Sequence, residues 1–316
     1  MIRQPIDKYA ISFADKNISE KINTTYSITM ILMVLVAASY GCHSINSKAI
    51  SPDADTVFYR IDTSITVLEN QLWKQGLQFL REKRRKLAKV KSYIIVDETY
   101  ESYTGKLRNK EKKYKELLTK EEKKILKYIH KYKPEKGDTG SYKYLVFAIV
   151  YGNKRRVLRV KAVKRKENCD EFIIKTLIQL KTEVSYECVL FDRGFYDGLF
   201  IEKLKMNKIP FIVRARISDY MKKIFGFYSE WKCHRDFEIG EHKIKGNLVL
   251  GVDFAEGKRA KWAFITNMEF DNWHKVRELY RKRWNIENVF KATDGIQLRA
   301  QTNNPATRLF CVCLSF

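Results

Sequence analysis

The chain has 316 residues, and 61 Lys+Arg against 37 Asp+Glu give a formal charge of +24 and a pI near 9.6. That length allows two or three substructures around one sizeable core, and the charge favours a polyanionic partner, with thermophily or a lysine-rich proteome as the plainer alternative. Six scattered cysteines without a C-x2-C pair exclude a paired zinc-ligand spacing and a secreted disulfide framework, and fit a reducing cytoplasm.

In chain order, residues 1–26 are polar with little periodicity. The most apolar run, Ile28 to Ala38, is shorter than the roughly 18–20 residues of a membrane span and too far from the start for a signal peptide. It predicts a buried helix over 27–39, ended by Gly41, and no membrane association. Ser51-Pro52 is a helix start, serine as N-cap and proline at the first helical position. The helix it opens, with the short segments before it, predicts a helix-turn-helix within residues 1–90, with 52–61 as recognition helix. An ordinary helical bundle packed on a core is the alternative. Residues 64–90 predict a further helix that turns basic at Arg81, Lys83, Arg84, Arg85, Lys86 and Lys89, placed to lie along a phosphate backbone or merely solvated.

Residues 91–214 carry the strand signal. Two apolar runs stop on an aspartate, Tyr93-Ile-Ile-Val-Asp97 and Cys188-Val-Leu-Phe-Asp192, which reads as buried strands ending at the rim of a sheet. Between them a lysine-dense insert at 105–135 predicts a surface helical hairpin. A hairpin of strands follows, 142–151 and 155–163 about Gly152-Asn153, then a helix near 168–182. After Asp192 come a helix near 197–206 and the strand Pro210-Phe-Ile-Val-Arg214. Residues 215–270 predict a β-rich insertion. The last part, 271–316, holds a helix through Tyr280-Arg-Lys-Arg-Trp-Asn-Ile-Glu287 and ends inside an apolar helix, which suggests a truncated reading frame.

On the late helix, positions 280, 283, 287, 291 and 294 share one face. Glu287 joined to two strand-end aspartates would make a site of hard oxygen ligands, suited to Mg²⁺ and phosphoryl transfer, with Mn²⁺ able to substitute. Glu98 and Asp253 are rival ligands. Alternation along a strand turns Glu98 away from Asp97, so only one of them can serve.

These residues carry a resemblance. The sequence resembles the DDE insertion-sequence transposases of the branch with a Tyr-x2-Arg-x3-Glu-x6-Lys signature, through Tyr280, Arg283 and Glu287, through Asp192-Arg-Gly-Phe195 and through Asp97-Glu-Thr-Tyr100. Asn304-Pro-Ala-Thr-Arg-Leu-Phe310 is similar to a phrase of archaeal elements. The signature's lysine is replaced by Asp294, and Lys291 lies one turn earlier. The resemblance implies an α/β fold of ribonuclease H-like type, a mixed sheet flanked by helices, with a helical N-terminal DNA-binding region. It implies Asp97, Asp192 and Glu287 as catalytic metal ligands, and DNA contacts by Tyr280, Arg283, Lys291 and Arg193. Trp231 would stack a flipped base. The expected activity is cut-and-paste DNA transposition on double-stranded DNA, both terminal inverted repeats and target, by a dimer at the nucleoid. A nuclease without strand transfer and a truncated, DNA-binding remnant are the alternatives.

Overall fold

The computed structural model describes residues 63–227, 231–241, 243–255, 258–284 and 302–315, with 12–13, 16–18 and 61. The apolar run at 28–38, the recognition helix expected at 52–61 apart from Ile61, and Glu287, Lys291 and Asp294 lie outside the described residues. No helix among the described residues is long and apolar enough to cross a membrane.

Helix α1 (Ile65–Leu87) is started by Ser64, whose side chain accepts from the Val67 amide. Strand β1 (Ser92–Tyr103) follows. The lysine-dense insert folds as two short helices, α2 (Leu107–Lys113) and α3 (Lys120–Leu126), the second opened by a capping box of Thr119 and Glu122. After the two-residue β2 (Ile129–His130) comes the expected hairpin, β3 (Gly140–Tyr151) and β4 (Lys154–Val163), turning at Gly152 with φ of 53°. Then α4 (Asp170–Glu183), β5 (Cys188–Phe191), α5 (Gly198–Met206) and β6 (Phe211–Arg214) alternate.

β1 pairs antiparallel with β3 and parallel with β5, and β5 pairs parallel with β6. With β4 on the outer side of β3, this order of three antiparallel strands and two parallel ones fits a ribonuclease H-like domain. The β-rich insertion does not stand apart from it. After α6 (Asp219–Phe227), the strands β7 (Trp231–Ile239), β8 (Ile244–Ala255) and β9 (Lys258–Thr266) form a meander, and β9 pairs with β6. Among the described residues the result is one nine-stranded sheet.

Alternation along the strands divides the core into two layers. One face carries Ile94, Val96, Val189, Phe191 and Val213 against α4 and α5. The other carries Tyr93, Ile95, Leu190, Ile212 and Phe264 against α7 (Trp273–Arg281) and α8 (Pro305–Ser315). Helix α1 straddles the β4 edge: Gly76 lies so close to the Leu158 carbonyl that a β-carbon there would overlap it. Its Leu68 and Leu72 enter the second layer, and Leu77 and Leu80 the first.

One strand differs from its expected length. β1 runs six residues beyond Asp97 because β3 pairs with it throughout, from Ser92 opposite Tyr151 to Tyr103 opposite Gly140. The polar tail Thr99-Tyr-Glu-Ser-Tyr103 is thus strand, with Tyr103 and Tyr142 packed edge to face at 5.7 Å.

Candidate active site

Asp97 sits at a rim even though its own strand continues. β5 covers β1 only from Tyr93 to Val96, the last pair being Val96 with Phe191. The residue after each member of that pair is an aspartate, so Asp97 and Asp192 stand level on neighbouring strands, on the face occupied by α7. The next pair along, Phe191 with Val213, puts Arg214 level with Asp192 on β6. Three adjacent strands therefore present Asp97, Asp192 and Arg214 in a row.

Arg283 ties the row together. Its Nη1 donates to Asp97 Oδ2 at 2.9 Å, its Nη2 stands 3.9 Å from Asp192 Oδ1, and its Nε donates to the Tyr280 hydroxyl at 3.1 Å. The other Asp97 oxygen accepts from the Glu98 amide at 2.9 Å. Asp97 and Arg283 are buried, whereas the Asp192 side chain keeps 42% of its exposure. A guanidinium inside such a site is drawn there by paired carboxylates, whose mutual repulsion calls for a cation. The donor set of hard oxygens around that cation therefore fits a divalent metal ion. Among the described residues no group of three metal-ligating side chains occurs, and Glu287, the expected third ligand, lies outside them.

Tyr280 lies beneath the site, not on its surface. It is buried, its ring packs on Phe264 at 5.0 Å, and its hydroxyl supports Arg283. Burial first, then Asp192, pushes its phenol up to about 12 against the pull of Arg283 and Arg214, so it stays protonated. Of the expected helical face over 280–294, positions 280 and 283 lie among the described residues. Helix α7 ends at Arg281, and the Lys282 and Arg283 amides bond three residues back, to Leu279 and Tyr280. That tighter turn swings Arg283 inward toward the carboxylates.

The rival Glu98 faces away, as alternation requires, and pairs with Lys143 at 2.7 Å. Arg193 begins a 3₁₀ turn just after Asp192. It lines an open polar cavity of about 640 Å³ with Asp192, Arg214, Arg216 and Lys261. Arg214 is held there over the Trp262 ring, 4.6 Å from its centroid. Arg214, Arg216 and Lys261 escaped the sequence reading, although Arg214 ends its apolar run just as the two aspartates end theirs. Trp231 opens β7 with its backbone opposite Gly251, and Asp253 lies on β8 opposite Ala260, both outside the row at the ends of β1, β5 and β6. Cys233 and His234 are successive strand residues that alternate between faces, so they form no joint metal site.

A ribonuclease H-like sheet with aspartates level on its first and fourth core strands places the chain with the nucleases and transposases built on that fold. The comparison with known families resolves this further: residues 88–304 match the family described as Transposase DDE domain, and the chain belongs to it. No curated protein shows a significant match. Membership implies DNA as the substrate and a divalent metal as the usual requirement.

Proposed function

We propose that the protein is the transposase of an insertion sequence, cutting DNA at the terminal inverted repeats of its element and joining the freed ends to target DNA. The observation that carries this reading is the pair of level aspartates sharing one guanidinium. Asp97, Asp192 and Glu287 form the proposed catalytic triad. The chemistry is two in-line displacements at phosphorus, first by water on the element's end and then by the liberated 3′-hydroxyl on the target strand. Bound by the three carboxylates, Mg²⁺ or Mn²⁺ would supply Lewis-acid activation of the attacking oxygen and neutralise the leaving one.

The chain's own residues hold the substrate. Arg283, freed from the carboxylates, is within reach of the phosphate beside the scissile bond, and its planar fork suits two phosphate oxygens. Arg193 and Arg214 line the adjoining cavity for the next phosphate. Tyr280 fixes the Arg283 side chain. Lys291 and Trp231 complete the proposed DNA contacts, Trp231 by stacking a flipped base. We place the protein in the Tyr-Arg-Glu-Lys branch, among elements of archaeal type. It works as a dimer on DNA, at the nucleoid. The proposed organisation is an end-recognition region at 1–90, catalytic parts at 91–214 and 271–316, and the insertion at 215–270.

The test is cleavage of a labelled duplex bearing the element's own end, with wild type beside Asp192→Asn. Mg²⁺-dependent cutting that vanishes in the variant, followed by strand-transfer products, is the expected result. Binding of the end without cutting would leave a DNA-binding remnant, and absence of both would end the transposase reading of this chain.

A further inference from the structure

The end of the sheet remote from the carboxylates has an electrostatic character of its own. Between Arg81 and Lys91 the sequence holds seven cations and one anion, whereas the insert at 105–135 spreads twelve cations among five anions. The insert pairs part of its charge internally, as in Lys110 with Glu122 at 2.7 Å and Lys124 with Glu121 at 2.8 Å. At the end of α1 the pattern is reversed. Lys83, Arg84, Arg85, Lys86 and Lys89 are exposed; among the described residues none makes an ion pair within 4.0 Å, and Arg84 shares the field of Glu183 with Arg81. The nearby acids are already engaged: Arg81 holds Glu183 at 2.5 Å, and Lys91 stands 3.8 Å from Glu187.

The fold adds a second source of charge at the same place. The tip of the β3–β4 hairpin lies beside the start of β1, since Ser92 pairs with Tyr151. Lys154 and Arg155 at that tip are exposed, and Arg156 lies over the Phe79 ring of α1, 5.7 Å from its centroid. Between the ends of α1 and α4 a cavity of about 400 Å³ opens, lined by Arg84, Lys181, Thr182 and Tyr186 together with Glu183, the partner of Arg81. Favourable interaction with the helix dipole accounts for cations in the last turn of α1. It accounts equally for Lys181 in the last turn of α4, but not for the hairpin tip. So many unneutralised cations at one pole repel each other, and a polyanion removes that cost.

We propose that this pole is a second duplex-DNA surface, one that grips phosphates without reading bases and is separate from the catalytic cleft. Five residues of β1, or roughly 17 Å at strand rise, separate Ser92 from Asp97. DNA held here is therefore a different stretch of backbone from the one being cut. The proposal rests on the reading of the chain as an enzyme acting on DNA.

The test is fluorescence anisotropy of a labelled random-sequence duplex of about 30 base pairs, a length that spans several phosphate contacts. The full chain is titrated in EDTA over a range of salt. Three variants are compared with wild type: Lys83→Gln/Arg85→Gln/Lys86→Gln on α1, Lys154→Gln/Arg155→Gln on the hairpin tip, and Lys112→Gln/Lys113→Gln/Lys115→Gln in the insert. Each phosphate contact contributes about 0.9 to the slope of log affinity against log salt, so the α1 variant should lose roughly 2.7 and the hairpin variant roughly 1.8. The α1 loss amounts to about a hundredfold in affinity near physiological salt. The insert variant should change far less. Wild-type slopes in both pole variants would overturn the proposal, as would equal losses in all three variants, which reduce the effect to net charge. A wild type that binds no duplex would fail the underlying DNA reading as well.

Discussion

Arg308 is the residue whose replacement should reveal most about how the active strand is held. It projects from α8 onto β1, where its Nη1 donates to Glu101 Oε1 at 2.8 Å and its Nε to the Thr302 carbonyl at 2.6 Å. The guanidinium lies 4.8 Å from the Tyr142 ring centroid, and Glu101 Oε2 accepts from the Tyr144 hydroxyl at 3.0 Å. Both charged side chains are about nine-tenths buried. Arg308→Met removes the cation and strands the carboxylate, which costs about 3–5 kcal/mol, a large part of a typical domain's stability. In a chain of this size the melting temperature should fall on the order of 10 °C. Replacing both partners, Glu101→Leu with Arg308→Met, removes the stranded charge and should recover at least half of the loss.

The penalty should also depend on pH. Burial raises the Glu101 carboxyl above its ordinary 4.5, with Arg308 and the Tyr144 hydroxyl pulling the other way. A carboxyl raised in the fold binds more protons folded than unfolded, so its contribution to stability is full below about 4.5 and is lost as pH rises through the folded value. Without Arg308 that value climbs further. Urea unfolding followed by tryptophan fluorescence should therefore show Arg308→Met most destabilised above pH 7 and closest to wild type near pH 4.5. A single variant within about 1 kcal/mol of wild type at pH 7.5, or a double variant no better than the single, would refute a buried pair of this strength.

Arg283→Gln should lower the melting temperature of the metal-free protein by several degrees, since Asp97 loses its buried partner. It should also enlarge the upward shift on adding Mn²⁺, because the ion no longer competes with a resident cation; thermal melts with and without Mn²⁺ check both, and an unchanged shift would count against that competition. Glu98→Gln should leave DNA cleavage intact and cost no more than about 1 kcal/mol through its pair with Lys143, whereas loss of cleavage would place Glu98 in the site and overturn the facing argument.

Much of the fold could be read from local pattern. The hairpin about Gly152 and the alternation of α4, β5, α5 and β6 announce themselves through apolar periodicity and turn residues, within a few positions of where they lie. The two aspartates were legible for the same reason, each ending an apolar run. What stayed hidden depends on partners distant in sequence. Thr99-Tyr-Glu-Ser-Tyr103 gives no apolar signal, and it is strand only because β3 lies alongside. Arg283 meets Asp97 across 186 positions, and Arg308 meets Glu101 across 207. No periodicity reports such pairings, and Arg308 reads locally as a lone cation on an apolar helix. The insertion's continuity with the sheet was hidden likewise, because it rests on β9 finding β6.

Helix α8 begins at Pro305, one residue past the stretch matched to the family, and α1 ends at Leu87, one residue before it. Yet Leu309 and Phe310 of the former and Leu68 of the latter share one core layer with the strand that bears Asp97. Kinship and foldability thus have different borders in this molecule. A fragment trimmed to the recognisable 88–304 would keep both aspartates and lose two walls of the chamber that positions them. Anyone expressing the catalytic part alone should cut outside both helices.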